Sequence, residues 1–262
     1  MLNWYKRIII PVVNAAGERR LRRFSNEPVV IGGAGRSGTT LLLAMLDAHP
    51  HLYCFSEQIG MFKEWDTVRT NGTVREVPTR IDRLHRWLLT HRIPREATRW
   101  CEKTPHNIRY FRQIIAYLSG RVRLIHLVRD GRDVITSRHP YRPDRYWVPV
   151  SRWVNDVSAG LEFVDNPLVL TIRYEDLVAD YENAIAKVCA HIGEECVPQV
   201  RDWYANTTLR KSRHWFAPVQ RLHGDSIGRW RDPAHRERVN ELMAEPRAVE
   251  LLTRFGYLDE SS

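Results

Sequence analysis

A glycine-rich segment, VVIGGAGRSGTTLLL at residues 29–43, contains the residues whose types and spacing most clearly suggest chemistry. Residues 29–31 predict a short buried strand, residues 32–38 a tight turn, and the apolar residues that follow predict a helix. In such a turn the backbone N–H groups and the positive end of the helix point into one small space, which favours an anion. A turn that merely joins strand to helix is the alternative at this point.

The cationic residue of this loop differs in position from the lysine of the nucleoside-triphosphate-binding loop, G-x-x-x-x-G-K-[ST]. Gly33 and Gly38 have the spacing of that motif and Thr40 occupies its Ser/Thr position, but Thr39 stands in place of the lysine. Arg36 lies inside the loop instead, and a guanidinium can bind two oxygens of a phosphate or sulfate group. We therefore expect a site for a phosphate-like group without a triphosphate and its magnesium ion.

A second cation, Lys103, precedes a predicted helix start. Thr104 is a suitable N-cap and Pro105 a favoured first helical residue, so the helix should run to about Leu118. Because an ammonium group near a positive helix end is not stabilised by the helix dipole, we expect an anionic partner for Lys103. An ordinary surface lysine is the alternative.

A second strand and turn follow at residues 121–138. The apolar run VRLIHLV predicts the strand, RDGRD the turn, and the following residues a helix. Arg129 at the strand end and Ser137, about two turns into the helix, could face one anion. We expect His126, inside the strand, to be a hydrogen-bonded core histidine.

The whole chain predicts an α/β fold. Its 262 residues, 43% hydrophobic and 27% charged, can bury one sizeable core. Strands alternate with helices, with a third strand at residues 168–172 and a long helix opening at Tyr174, so we predict a P-loop-like three-layer α/β/α arrangement around a central, mainly parallel sheet. We treat residues 1–262 as one domain with an N-terminal arm at 1–27 and a core at 29–257, and expect residues 51–80 to form a loop with little regular structure.

The net charge of +9 and the pI near 9.6 suggest anionic ligands, nucleic acid or an anionic membrane surface. The sequence has no nucleic-acid-binding signature, so nucleic acid is not the expected partner. Four cysteines without a C-x-x-C pair fit a reducing compartment, and we expect a cytoplasmic protein. The apolar run at residues 8–13 is too short to span a membrane, although residues 1–23, rich in arginine, either contact the inner membrane surface or pack on the core.

Taken together, these segments resemble the sulfotransferases that use 3′-phosphoadenosine 5′-phosphosulfate (PAPS). GRSGTTLLLAMLDAHP resembles their 5′-phosphosulfate loop, and RLIHLVRDGRDVITSR resembles their 3′-phosphate segment. WCEKTP is similar to the lysine segment of tyrosylprotein and related bacterial sulfotransferases, YEDL to the segment beside the adenine, SIGRWR to the late nucleotide-binding segment, and FGY to the chain end. The segments occur in family order over roughly residues 29–257.

The resemblance implies metal-independent, in-line transfer of the sulfuryl group from PAPS to a hydroxyl, or an amine, of an acceptor, with release of the bisphosphate PAP. The acceptor could be a small molecule, a carbohydrate, a lipid or a peptide tyrosine. The implied catalytic residues are Glu57, Lys103 and Arg36. The implied nucleotide-binding residues are Arg36, Ser37, Gly38, Thr39 and Thr40 at the phosphosulfate, Arg129, Ser137 and Arg229 at the 3′-phosphate, and Tyr174, Ser226 and Trp230 near the nucleotide or its loop.

Two residues compete for the role of general base in this interpretation. Glu57 follows His49-Pro50 as the glutamate of tyrosylprotein and heparan-type sulfotransferases does, whereas His106 lies three residues after Lys103 instead of the two found in cytosolic sulfotransferases. We therefore predict Glu57 as the base; the alternative is that Glu57 only orients Arg36 or Lys103. A kinase or other NTPase and a non-catalytic nucleotide or nucleic-acid binder remain the alternative functions.

Overall fold

A five-stranded parallel sheet lies at the centre of the fold, in the order β2 (Leu52–Cys54), β5 (Arg99–Lys103), β1 (Val29–Gly33), β6 (Arg123–Val128) and β9 (Val169–Arg173). The computed structural model describes residues 5–56, 58–70, 72–139, 141–209, 221–222 and 224–259. Because β1 lies between β5 and β6, the chain leaves β1 at a switch point in the sheet, where open α/β sheets bind ligands. In chain order the strands are β1 (Val29–Gly33), β2 (Leu52–Cys54), β3 (Trp65–Thr70), β4 (Thr73–Pro78), β5 (Arg99–Lys103), β6 (Arg123–Val128), β7 (Arg138–His139), β8 (Arg142–Tyr146) and β9 (Val169–Arg173).

Helices cover both faces of this sheet. The chain begins its described part with a π-helical turn, Tyr5–Ile9, and short 3₁₀ helices form at Pro105–Tyr110, Gly224–Ser226, Arg229–Arg231 and Pro233–His235. The α-helices are α1 (Ile10–Leu21), α2 (Thr39–Asp47), α3 (Ile81–Thr90), α4 (Phe111–Tyr117), α5 (Gly131–Ile135), α6 (Val150–Leu161), α7 (Tyr174–Ala179), α8 (Tyr181–Ile192), α9 (Pro198–Arg201), α10 (Trp203–Asn206), α11 (Arg236–Met243) and α12 (Pro246–Arg254).

The side chains of β1 divide between two hydrophobic clusters because successive residues of a strand point to opposite faces. Val29 and Ile31 pack with α2 and α8 on one face, whereas Val30 packs with α3 and α4 on the other. All three side chains are fully buried, which stabilises the fold by roughly 1.5 to 3 kcal/mol for each large aliphatic group. The predicted α/β/α layers and mainly parallel sheet are confirmed.

The prediction of an irregular loop at residues 51–80 is wrong. This segment contains β2, which pairs with β5, and the antiparallel hairpin of β3 and β4, in which Trp65 is opposite Pro78. Most of the described side chains of the hairpin are exposed, so the sequence carries no alternation of apolar and polar residues that would mark a half-buried strand. Gly72, at the predicted turn, has φ of +78° and lies at the tip of the hairpin.

Three predicted helices differ from the observed ones in extent. The segment after Pro105 is a 3₁₀ helix up to Tyr110 and becomes α-helical only in α4. The helix that opens at Tyr174 ends at Ala179, because Asp180 is the N-cap of a separate helix, α8. The helix after β6 is only five residues long, so Ser137 lies beyond its end rather than two turns inside it.

His126 in β6 is fully buried, as expected of a core histidine, but it is not hydrogen-bonded. Neither ring nitrogen has a partner among the described residues, and a Cβ added at Gly160 would lie 2.1 Å from His126 Nδ1. Burial lowers the pKa of His126 to about 3, so the ring is uncharged at neutral pH. The expectation of a hydrogen-bonded histidine is therefore wrong.

The N-terminal arm packs on the core through α1, which lies against α3. A Cβ added at Gly17 would lie 2.2 Å from His85 Cβ, so only glycine permits this close approach of the two helices. Ile8 and Val12, on the outer side of the arm, remain 50% and 64% exposed. Within the described residues, every helix is too short or too polar to cross a membrane.

Candidate functional site

The glycine-rich loop connects β1 to α2 at the carboxyl end of the sheet. Gly38, with φ of +91°, is the residue before α2, and a Cβ at this position would lie 2.4 Å from the ring of Tyr174. Arg36 also has a positive φ, +70°, which is strained for a residue with a side chain and is typical of functional loops. Ser37 is fully buried, and its hydroxyl has no hydrogen-bond partner within the described part of the chain. The loop thus presents an unsatisfied polar group, as a ligand site does.

Lys103 contacts this loop from the end of β5. Its ammonium group donates a hydrogen bond to the Thr40 hydroxyl at 2.9 Å, and the residue is only 1% exposed. A buried ammonium group retains its charge only when anionic or polar groups solvate it. The structure thus brings Lys103 to the glycine-rich loop and the start of α2.

The segment that carries Lys103 is fixed by a buried carboxylate that we did not predict. Glu102, with no exposed surface, accepts hydrogen bonds from Thr104 Oγ1 and Asn107 Nδ2, both at 2.6 Å. Asn107 also donates to the Ile31 carbonyl of β1 at 3.2 Å, so the segment is attached directly to the central strand. The side chain of Thr104 therefore binds Glu102 instead of capping a helix, and burial raises the pKa of Glu102.

Three guanidinium groups, those of Arg36, Arg129 and Arg229, lie close enough together beside the loop for their charges to interact. Burial and then the charges of Arg129 and Arg229 lower the pKa of Arg36, although part of the Arg36 side chain reaches solvent. Arg129 is 8% exposed and donates to two backbone carbonyls, that of Arg36 at 3.0 Å and that of Ser226. Among the residues that the structure describes, none of the three arginines forms an ion pair with a carboxylate. Like charges held together in this way favour a bound anion.

Tyr174 forms part of the same side of the loop. Its hydroxyl is 2.6 Å from Ser226 Oγ, and its ring lies under the guanidinium of Arg129, 4.5 Å from the Arg129 Cζ atom to the ring centroid. Tyr174 is 7% exposed and its ring also covers Gly38. The structure therefore brings the predicted residues of the YEDL and SIGRWR segments together with the loop and the end of β6.

Asp133 fixes the late SIGRWR segment, and we did not predict this role. Its two carboxylate oxygens accept hydrogen bonds from the backbone N–H groups of Gly228 at 2.8 Å and Trp230 at 3.1 Å. The Trp230 ring stacks against Arg132, with 4.0 Å from the Arg132 Cζ to the ring centroid. Arg229 donates to the Asp225 carbonyl at 2.7 Å. Asp133 lies in the predicted RDGRD turn, but its partners follow it by nearly a hundred residues, so the sequence alone offered no signal for the pairing.

Ser137 is beside this Asp133 contact. Its hydroxyl donates to the backbone carbonyl of Asp133 at 2.9 Å, and its own carbonyl accepts from the Trp147 N–H at 3.0 Å. These bonds place Ser137 in the turn that leads from α5 to β7. The role of Ser137 at the 3′-phosphate remains a prediction.

Of the two candidates for the general base, the structure describes only His106. Glu57 lies outside the described residues. His106 lies in the 3₁₀ helix after Lys103, where burial and then Arg152, Arg109 and Lys63 lower its pKa to about 4. His106 is therefore uncharged at neutral pH and only a weak proton acceptor.

Among the described residues, His49, His51 and Glu194 are close enough together to hold a metal ion. They lie at the amino end of the sheet, remote from the loop. His49 Nδ1 accepts from the His51 N–H at 3.1 Å, so the other ring nitrogen carries the proton and donates to the Glu195 carbonyl at 3.1 Å. His51 Nδ1 and Glu194 Oε2 are 2.8 Å apart. Since both nitrogens of His49 are occupied, this group is best explained as a structural link between α2 and α8.

Known proteins with sequences similar to this chain are sulfotransferases. The family model described as the sulfotransferase family matches residues 28–199. A protein provisionally named protein-tyrosine sulfotransferase from Caenorhabditis briggsae is 33% identical over 120 residues, which cover 42% of this chain and 41% of that protein. Protein-tyrosine sulfotransferase A from Caenorhabditis elegans is 28% identical over 127 residues, covering 42% of this chain and 32% of that protein. The matches thus span less than half of these relatives.

Solved structures share the fold. The sulfotransferase domain of the Synechococcus PCC 7002 olefin synthase has a TM-score of 0.60 and 20% identity, with 89% of this chain and 96% of that chain covered. A mouse sulfotransferase in complex with PAP has a TM-score of 0.54 and 15% identity, with 93% and 95% covered. The match of the family model spans more than half of the chain and includes the glycine-rich loop, Lys103 and Arg129. The chain therefore belongs to the sulfotransferase family.

Proposed function

We propose that this protein transfers the sulfuryl group from PAPS to a hydroxyl, or less commonly an amine, of an acceptor and releases PAP. The observation that carries the proposal is the set of three guanidinium groups, Arg36, Arg129 and Arg229, which lie beside the glycine-rich loop without a carboxylate partner among the described residues. Such a set suits a ligand with more than one anionic group, and PAPS carries a 3′-phosphate in addition to its phosphosulfate. The buried, unpartnered Ser37 hydroxyl and the Lys103–Thr40 contact support a second anionic group at the loop itself.

The chemistry requires positioned donors rather than a covalent nucleophile. In-line transfer spreads negative charge over the sulfuryl oxygens and the leaving phosphate, which fixed N–H groups and cations stabilise. Arg36, the loop amides and the hydroxyls of Thr39 and Thr40 would hold the phosphosulfate, and Lys103 would stabilise the bridging oxygen as the bond breaks. Arg129, assisted by Ser137 and Arg229, would bind the 3′-phosphate, with Tyr174, Ser226 and Trp230 beside the nucleotide.

The alternative of a kinase or other NTPase is not favoured, because Thr39 occupies the position of the phosphate-binding lysine. Retention on immobilised PAP compared with immobilised ATP tests the proposal. We expect retention on PAP resin, elution by free PAP and little retention on ATP resin. Preferential retention on ATP resin would contradict the proposal, and retention on neither would exclude both nucleotides.

We further propose that the reaction needs no divalent metal ion. A singly charged sulfuryl group carries less negative charge than a γ-phosphate and needs less compensation. Arginine and lysine side chains beside the site supply the positive charge that a metal ion would otherwise provide. Transfer of labelled sulfate from PAPS should therefore be unchanged by EDTA. Loss of activity in EDTA that magnesium restores would overturn this part of the proposal.

The acceptor is proposed as a hydroxyl compound, and peptide tyrosine is its first test because two relatives are named for that residue. A screen with labelled PAPS should compare tyrosine peptides, phenols, sugars and hydroxylated lipids. Transfer to any of these hydroxyl compounds supports the proposal and selects the class. Transfer to amines alone would overturn the assignment to hydroxyls.

We also propose a cytoplasmic protein whose N-terminal arm contacts an anionic membrane surface. The outer side of the arm combines exposed Ile8 and Val12 with exposed Arg7, Arg19 and Arg22, a composition that suits anionic lipid headgroups. The four described cysteines are free thiols, which fits a reducing compartment. Co-sedimentation with vesicles containing phosphatidylserine should exceed that with phosphatidylcholine vesicles, and the double variant Ile8→Glu, Val12→Glu should abolish the difference. Equal binding to both vesicles would contradict the contact.

A further inference from the structure

The glycine-rich loop has a further cationic neighbour, Arg152, that the family resemblance did not assign. Arg152, in the first turn of α6, approaches the loop at Gly35. A Cβ added at Gly35 would lie 3.4 Å from Arg152 Nη2 and 3.7 Å from Arg152 Cζ. The guanidinium therefore lies against the loop backbone at Gly35.

The position of Arg152 is fixed from two directions. Its Nε is 3.6 Å from Asp156 Oδ2, one helical turn further along α6, and Asp156 has no exposed surface. The next residue in the chain, Trp153, is also fully buried and donates from Nε1 to the Arg129 carbonyl at 3.3 Å. The base of α6 is thus attached to the end of β6, and the Arg152 side chain is only 25% exposed. A guanidinium held in this way loses little conformational entropy when it binds a ligand.

The charges around Arg152 do not balance. Asp156 is shared with Arg109, whose Nε donates to Asp156 Oδ1 at 2.5 Å, so two guanidinium groups face one carboxylate. Lys63 adds a further positive charge on this side, since Arg152, Arg109 and Lys63 all act electrostatically on His106. An anionic group at the loop would compensate the remaining charge.

Arg152 approaches the loop beside the segment that follows Lys103. The 3₁₀ helix that follows Lys103 packs against α6, and His106 of that helix faces Arg152. Lys103 reaches the loop from the face of the sheet that α2 covers, where it binds Thr40, and Arg152 reaches the loop from α6 at Gly35. In a donor with anionic groups at both ends, the phosphosulfate end would lie between Lys103 and Arg152.

We propose that Arg152, oriented by Asp156, is a further ligand of the sulfuryl oxygens of PAPS at the glycine-rich loop. This inference rests on the proposed function and adds a residue to its site. Arg152 is a catalytic residue in this proposal because it contacts the group that is transferred. Asp156 is a positioning residue, because it acts only through the guanidinium that it orients.

The test compares binding of PAPS with binding of PAP, which has the same nucleotide but lacks the sulfuryl group. Titration calorimetry on the full chain should show that Arg152→Ala weakens PAPS binding by about tenfold or more, the usual loss of a charge-assisted hydrogen bond, and changes PAP binding by no more than about twofold. Arg152→Lys should recover part of the PAPS affinity. Asp156→Asn should lower the ratio of PAPS to PAP affinity in the same direction by a smaller factor.

Arg112→Ala is the matched control, because Arg112 pairs with the exposed Glu162 and is itself 75% exposed. It should leave both affinities unchanged. Equal weakening of PAPS and PAP in Arg152→Ala, or no change in either, would overturn the inference, and thermal melts of Arg152→Lys separate a binding effect from misfolding. If the wild-type chain binds neither PAPS nor PAP, the proposed function itself fails.

Discussion

The arginines on the two sides of the glycine-rich loop are held in different ways. Arg129 is fixed by neutral backbone carbonyls, whereas Arg152 and Arg109 are fixed by the buried carboxylate of Asp156. A cation bound to carbonyls keeps its full charge for a ligand, so the first side is suited to affinity for phosphate. The charge of a cation paired with a carboxylate is partly compensated, but the orientation of the cation is fixed. The second side is therefore suited to orienting the group that is transferred.

This comparison predicts that substitution of Arg129 weakens PAP binding, whereas substitutions that concern only the sulfuryl group or its transfer leave PAP binding nearly unchanged. The largest expected effect is that of Glu57→Gln, which should reduce single-turnover transfer from PAPS by about a hundred- to ten-thousand-fold and leave PAP binding nearly normal, because removal of a general base typically has this cost. Rapid-quench kinetics and PAP titration measure the two quantities.

His106→Gln is the control for the general base. With a pKa of about 4, His106 is a poor proton acceptor at neutral pH, so this variant should transfer at close to the wild-type rate. A slow His106→Gln beside an active Glu57→Gln would move the base to His106. If Glu57→Gln instead weakens PAP binding and rate together, Glu57 orients a cation rather than accepting a proton.

The second effect in size is that of Arg129→Ala on nucleotide affinity. The loss of one charge-assisted contact commonly costs about 1.5 to 3 kcal/mol, so PAP should bind at least tenfold more weakly. Binding of adenosine 5′-monophosphate, which lacks the 3′-phosphate, should change much less. Calorimetry with both nucleotides measures the difference, and equal losses would show that Arg129 does not bind the 3′-phosphate.

A smaller effect is expected from Asp133→Asn, which tests how far the Arg129 side depends on the late segment. Each Asp133 oxygen accepts one backbone N–H, from Gly228 or Trp230, and the amide can accept only one of them. The free energy of unfolding should fall by about 1 to 3 kcal/mol, and PAP affinity should fall several-fold.

Asp232→Asn is a matched control in the same segment. Asp232 accepts from the backbone N–H of Ala234 at 2.9 Å, but it is exposed, so water can replace the contact. Urea unfolding should therefore give nearly the wild-type stability for Asp232→Asn. If the two variants behave alike, the late segment is not fixed through Asp133.

The last prediction concerns β6, whose buried His126 contrasts with the charged Arg129 at its end. In the unfolded chain His126 has a pKa near 6.5, and in the folded chain about 3. Its contribution to stability is therefore fully present above about pH 6.5 and is lost as the pH falls towards 3, by up to roughly 1.4 kcal/mol per pH unit. His126→Leu should flatten the pH dependence of the unfolding free energy by this amount, and the exposed His91→Leu should not. An unchanged slope in His126→Leu would show that another group controls acid unfolding.

Local sequence patterns determined much of the fold and part of the site. The run before the glycine-rich loop, the loop spacing and the apolar run that ends at Arg129 are each contained in a few consecutive residues, so the period of hydrophobicity and the position of the glycines predicted β1, α2 and β6. The mainly parallel sheet followed from the alternation of strands and helices. The exposed hairpin of β3 and β4 was missed, because a strand without a buried face leaves no such pattern.

The sequence by itself therefore indicated which residues could bind an anion, Arg36, Lys103 and Arg129 among them, because each lies in a glycine turn, at the end of a predicted strand or just before a predicted helix. Only the tertiary structure decided how these cations are divided and supported. The Asp133 contact to Gly228 joins residues 95 positions apart, and the approach of Arg152 to Gly35 depends on how α6 crosses the end of the sheet. Contacts of this kind arise from packing between distant segments, and neither periodicity nor local spacing contains them.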